Sequence, residues 1–229
     1  MTSGTINVEA RPEAISLDRE STAVIVIDMQ NDFGSEGGMF DRAGIDIAPI
    51  KAAVAPTARV LHAARRHGLP VIYLTMQHRA DLADIGDALA PHRIKHAPLN
   101  VGAPVNRGGR ILVEGGWGTA IVPDLAPEPE DIIVPKHRYS GFFETSLDGI
   151  LRARGIRSLI VTGCTTSVCV DATIRDAMYR DYRCLLLEDC TGEPIGAGNE
   201  RTNHDASLLT IQLLMGWVSQ SDRLIAALG

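Results

Sequence analysis

Aromatic residues, lysines, cysteines and long apolar runs are all scarce in this chain. Aromatics make up 4% of its 229 residues, so any core must be built from aliphatic side chains. The longest apolar runs, such as Thr22 to Ile27, fall far short of the roughly 18 to 20 residues a helix needs to cross a bilayer. The four cysteines, Cys164, Cys169, Cys184 and Cys190, are too few and too late in the chain for a disulfide framework, and they read as thiols. A basic excess is missing too: 22 basic against 28 acidic residues give a formal net charge of −6. That balance disfavours nucleic acid and anionic membranes as partners and leaves a small molecule. The first twenty residues show no basic stretch followed by an apolar one, so a cytoplasmic location is expected.

What remains is ordinary globular composition, with 45% hydrophobic and 22% charged residues, in a chain long enough to bury a core without metal or disulfide support. Short β-branched runs alternate with amphipathic stretches, the pattern of parallel strands joined by crossover helices. Strands are predicted at Thr22–Ile27, Leu69–Thr75, Ile132–Val134, Ser158–Thr162 and Cys184–Leu187. Helices are predicted at Ile50–His67, Leu147–Arg154, Val168–Tyr179, Asn203–Leu214 and Asp222–Leu228. The class is α/β, a doubly wound parallel sheet flanked by helices, in one domain over 1–229. Met76 to Leu125 is rich in Pro, Gly, His and Arg with poor periodicity and reads as a long insertion, a lid or binding segment.

In an open parallel sheet, ligands bind beyond the carboxyl ends of the strands. Three polar residues fall there: Asp28 after TAVIVI, Lys136 after IIVP, and Cys169 where TTSVC leads into a helix. Cys169 is the candidate nucleophile, activated by the positive end of the helix dipole. Asp28 is the candidate general base, and Lys136 the ammonium that stabilises the thiolate. Lysine is otherwise represented by Lys51 and Lys95 alone, so its use at 136 favours chemistry over solvation.

The segments VIDMQNDF, VPKHRYSGFFETSLDGILRARGI and TGCTTSVCVDATIRDAMYRDYRCLLLEDC resemble the isochorismatase-like cysteine hydrolase superfamily. RPEAISLD, RYSGFF and GWVS are similar to its ureidoacrylate-hydrolysing branch, and HRADLADIGDAL to its biuret-hydrolysing branch. The resemblance implies the same Asp28, Lys136 and Cys169 triad. It further implies a cis peptide between Cys164 and Thr165, which aims the N–H groups of Thr165 and Cys169 at an oxyanion. It implies C–N hydrolysis of a small ureido or carbamoyl compound through a thioester-like intermediate, no cofactor, and a homo-oligomer, dimer or tetramer.

Asn31, Phe33, Trp117, Tyr139, Phe142 and Phe143 are candidates to wall the substrate pocket. Arg79, Arg107 and Arg138 are candidate partners for a substrate carboxylate, with no choice among them. His78 stands in Met76-Gln77-His78 where the nicotinamidase branch has Asp-x-His, so no metal is expected. Two other readings stand at this point: vinyl ether or nicotinamide hydrolysis in a neighbouring branch, and a silent binding or scaffold homologue.

Overall fold

The computed structural model describes residues 4–229. It opens with an element that the sequence reading missed, an antiparallel hairpin of β1 (Thr5–Val8) and β2 (Ile15–Asp18). Both strands alternate buried and exposed residues, as a two-residue period requires when one face packs on the core. The remaining strands are β3 (Thr22–Ile27), β4 (Val71–Met76), β5 (Ile132–Lys136), β6 (Ser158–Cys164), β7 (Arg183–Gly192) and β8 (Trp217–Ser219). They form a six-stranded sheet in the order β5-β4-β3-β6-β7-β8, with every neighbouring pair parallel.

β3, β4 and β6 are buried at every residue because helices cover both faces. Val24, Val26 and Tyr73 point to the face carrying the helices Ala48–Arg66 and Ser221–Leu228. Ile25, Ile27 and Leu74 point to the face carrying Leu147–Ala153 and Asp171–Met178. β5 lies at an edge and alternates in burial, which is why it accommodates Pro135. The expected α/β architecture with helices on two faces is therefore present. The chain winds outward from β3 to β4 and β5, then returns to β6 on the other side of β3. The strand order reverses between β3 and β6, and their carboxyl ends flank the crevice where such sheets bind ligands.

Several predicted boundaries move. β7 continues to Gly192, and β8 was not predicted. The predicted helices at 168–179 and 203–214 are each split: a π turn at Thr166–Val170 precedes Asp171–Met178, and another at Ile211–Met215 follows Asn203–Thr210. Between 76 and 125 the secondary structure is limited to short pieces, of which Pro91–His96 is the longest helix. That stretch is pinned to the end of β3 by two buried polar side chains. Gln30 Nε2 donates to the Met76 and Thr119 carbonyls at 3.0 and 2.9 Å, and its Oε1 accepts from Met76 N–H at 2.7 Å. The Asp32 carboxylate accepts from the N–H groups of Met39 and Leu112 at 3.1 and 2.8 Å.

One glycine sets the spacing at the crevice. Gly163 has φ of 118°, in the half of backbone space that side chains avoid, and a Cβ there would run into the Ile27 carbonyl of β3. The β6–β7 register also shifts between Val161 and Gly163. Gly163→Ala is expected to lower unfolding free energy by at least about 2 kcal/mol, read from the urea midpoint. An unchanged midpoint would remove this close approach as a constraint on the fold.

Candidate active site

Asp28 is the first residue beyond β3, at φ of 53°, a left-handed conformation that Asp tolerates better than most side chains. Its backbone is held from both neighbouring strands. Its N–H donates to the Leu74 carbonyl of β4 at 2.9 Å, and its carbonyl accepts from the Cys164 thiol of β6 at 3.1 Å. This fixes the carboxylate over the sheet edge. Lys136, the last residue of β5 rather than one beyond it, reaches across β4 and places Nζ 2.7 Å from Asp28 Oδ2. The same ammonium donates to the Arg138 carbonyl at 3.2 Å and lies 3.8 Å from Met76 Sδ. Asp28 and Lys136 are each 1% exposed. Asp28 Oδ1 is buried without a hydrogen-bond partner of good geometry.

Cys169 sits on the π turn that follows β6, 7% exposed, and its thiol interacts with both Asp28 and Lys136. Single π turns often mark functional positions, and here other elements fasten the turn. Glu193, just past β7, is buried and accepts from Ser167 N–H at 2.6 Å. Thr173 Oγ1 donates to the Cys169 carbonyl at 2.6 Å while accepting from Gly141 N–H at 3.0 Å. The Ser140–Phe142 segment is thus tied through Thr173 to the turn that carries the nucleophile candidate. Glu193 and Thr173 were not singled out in the sequence. Glu193 is legible only as one more polar residue at a strand end.

Burial governs the electrostatics. It raises the Asp28 carboxyl above its ordinary value of 3.8, opposed by the Lys136 ammonium. Burial works against charge on Lys136 as well, but Asp28 and Cys169 together outweigh it and raise the ammonium above its ordinary value. Desolvation and the Asp28 charge raise the Cys169 thiol. Cys169 precedes the α-helix on a π turn, and burial opposes the dipole activation expected of it.

The thiol opens onto a cavity of about 310 Å³, near the lower end of small-molecule pockets. Phe33 and Tyr139 line it, together with Thr165 and residues from the long insertion, whereas Phe142, Trp117 and Phe143 are not on this lining. Phe142 is buried and stacks on Tyr182, with ring centroids 5.8 Å apart. Trp117 lies under the Arg107 guanidinium at 4.8 Å, and Phe143 is exposed beside His137 and Arg138. Asn31 spends its amide on the protein, donating to the Trp117 carbonyl at 2.9 Å and accepting from Ser35 Oγ at 2.8 Å. The three candidate arginines are also engaged elsewhere: Arg79 with Asp81, Arg107 with Trp117, and Arg138 with the Asp84 and His137 carbonyls. The peptide between Cys164 and Thr165 is cis.

His78 belongs to a buried group that sequence reasoning did not assemble. Its ring lies 5.6 Å from His92 and 6.4 Å from His96, and Tyr139 packs on the latter two. The i, i+4 spacing of His92 and His96 was the available signal. Burial lowers all three imidazoles, His92 to about 3, so they are neutral near pH 7. Among the described residues, no group of three or more His, Cys, Asp or Glu is placed to hold a metal ion.

A doubly wound α/β sheet with a buried lysine–aspartate pair beside a cysteine at the strand-order reversal describes a hydrolase of the cysteine type. Comparison with known proteins gives the family. The isochorismatase domain matches residues 22–223. The ureidoacrylate amidohydrolase RutB of Azorhizobium caulinodans is 44% identical over 92% of this chain and 91% of its own, and that of Variovorax paradoxus is 41% identical over 93% and 83%. Among solved structures, a cysteine hydrolase from Pseudomonas syringae pv. phaseolicola superposes with a TM-score of 0.79 at 32% identity, covering 93% of this chain and 94% of that one. The N-carbamoylsarcosine amidase of Thermoplasma acidophilum gives 0.66 at 30% identity, covering 88% and 97%. The chain belongs to the isochorismatase family, and within it is an amidohydrolase of C–N bonds other than peptide bonds.

Removing one member of the buried ion pair tests how strongly the site depends on it. Lys136→Met leaves a buried carboxylate without its counter-charge and is expected to cost about 3–5 kcal/mol at neutral pH. Adding Asp28→Asn removes that charge and is expected to restore part of the loss. Urea denaturation of the two singles and the double checks this; additive losses would show that the pair is not coupled.

Proposed function

We propose that this enzyme cleaves a C–N bond of a small ureido compound with Cys169 as nucleophile, and that ureidoacrylate is the first substrate to test. The observation that carries the reading is the convergence of Asp28 and Lys136 on Cys169, whose side chain lines a small cavity. The substrate class rests on the ureidoacrylate amidohydrolase relatives and on the amidase among the structural neighbours.

In this scheme Asp28 takes the Cys169 proton as sulfur attacks the ureido carbonyl, in keeping with burial that raises the thiol. The carbon–sulfur bond forms, and the carbonyl oxygen gains negative charge. The N–H groups of Thr165 and Cys169 receive that oxyanion. Collapse breaks the bond to one nitrogen, which leaves as an amine with the proton returned by Asp28. The carbonyl stays on sulfur as a carbamoyl thioester. Water, deprotonated by the same carboxylate, adds to it and releases carbamic acid and the free thiol. Lys136 holds the local charge balanced throughout. We place the enzyme in the cytoplasm as a homo-oligomer, for which the exposed Leu209, Leu213 and Leu214 offer an apolar contact face.

The test is ammonia and carbon dioxide release from ureidoacrylate, biuret, triuret, N-carbamoylsarcosine and nicotinamide, by wild type and by Cys169→Ala. Turnover of a ureido compound that falls at least about 10³-fold in the variant is expected; undiminished turnover removes the nucleophile assignment. The pH profile gives a separate test. Asp28 must be ionised to accept the proton, and its environment raises its pKa. Activity is therefore lost as pH falls through a value above the ordinary 3.8, and an acid limb of kcat/KM at or below that value rules out Asp28 as the base.

A further inference from the structure

The cavity that holds Cys169 has an uneven lining. One wall is apolar: Phe33 and Phe40 meet edge to face with ring centroids 5.1 Å apart, next to Met39 and Ile45. The helix Pro91–His96 ends with Lys95 and His96 both on the same cavity. Lys95 is exposed as well as lining the cavity, which puts its side chain at the open end. Among the described residues, Lys95 is the one cation on this lining, no carboxylate lines the cavity, and none pairs with Lys95. The other two lysines are engaged, Lys51 with Glu36 and Lys136 with Asp28. The three arginines on nearby loops are held by protein partners as well.

Resting on the ureido reading of the site, we propose that Lys95 is the specificity residue for substrate charge, and that the preferred substrate carries a carboxylate separated from its ureido group by a short apolar spacer. An ammonium with no protein counter-ion attracts a carboxylate through a charge-assisted hydrogen bond, whereas a neutral compound such as biuret gains nothing from it. The apolar wall accommodates the carbon spacer, with the reacting carbonyl at Cys169 and the acid group toward the solvent end. Placement on the insertion, away from the sheet, lets the charge preference change without disturbing Asp28, Lys136 or Cys169.

The experiment compares ureidoacrylate with its uncharged methyl ester, in wild type, Lys95→Met and Lys95→Glu, with biuret as a second neutral compound. For Lys95→Met, kcat/KM on the acid is expected to fall at least about tenfold, mainly through KM, while the ester changes less than about threefold. Lys95→Glu is expected to fall further on the acid alone. The ester rate also reports whether each variant is folded. Equal changes on acid and ester, or no change on either, overturn the assignment of Lys95. So does a wild type that prefers ester or biuret to the acid, although Cys169-dependent turnover would then leave the ureido reading standing. Absence of Cys169-dependent turnover of any ureido compound overturns both.

Discussion

A carboxylate and an ammonium 2.7 Å apart, each 1% exposed, are the constraint around which the rest of this structure is arranged. Removing two such charges from water costs several kcal/mol per ion, and only close pairing with further hydrogen bonds offsets it. The fold supplies these conditions from three strands. β3 ends at Asp28, β5 ends at Lys136, and β4 between them contributes Met76 against the ammonium and the Leu74 carbonyl to the Asp28 backbone. β6 completes the frame from the other side through Cys164. Cys164 is thereby more than a packing thiol, because it helps fix the backbone from which the carboxylate projects.

The pair also borders the proposed nucleophile, a buried cysteine. Burial alone would leave Cys169 protonated and inert. Asp28 raises the thiol further and at the same time offers it an acceptor, while Lys136 opposes the rise.

Much of this was legible in the sequence because it depends on one-dimensional signals. Fully apolar β-branched runs report parallel strands buried on two faces, and the polar residue ending each run reports a position in the crevice. Asp28, Lys136 and Cys169 were reached in that way. What was not legible depends on packing across distant segments. Phe142 and Tyr139 stand three residues apart in one aromatic-rich stretch, yet Tyr139 lines the cavity while Phe142 stacks on Tyr182. Hydrophobicity cannot separate them. Asn31 and Trp117 look like binding residues for the same reason, and instead they satisfy one another through an amide and a carbonyl. The hairpin Thr5–Val8 with Ile15–Asp18 and the three residues of β8 are too short for periodicity to register.

The division between sheet and insertion has a mechanical basis. Chemistry on a carbonyl needs groups held to within fractions of an ångström, and strand ends in a hydrogen-bonded sheet provide this. Choice of substrate needs groups that can be exchanged, and a segment built of short turns provides that instead. Gln30 and Asp32 join the two, since both follow Asp28 on the same turn and both bind backbone of the 76–125 segment. The loop that presents Asp28 is therefore also the loop that anchors the 76–125 segment at Met76, Leu112 and Thr119.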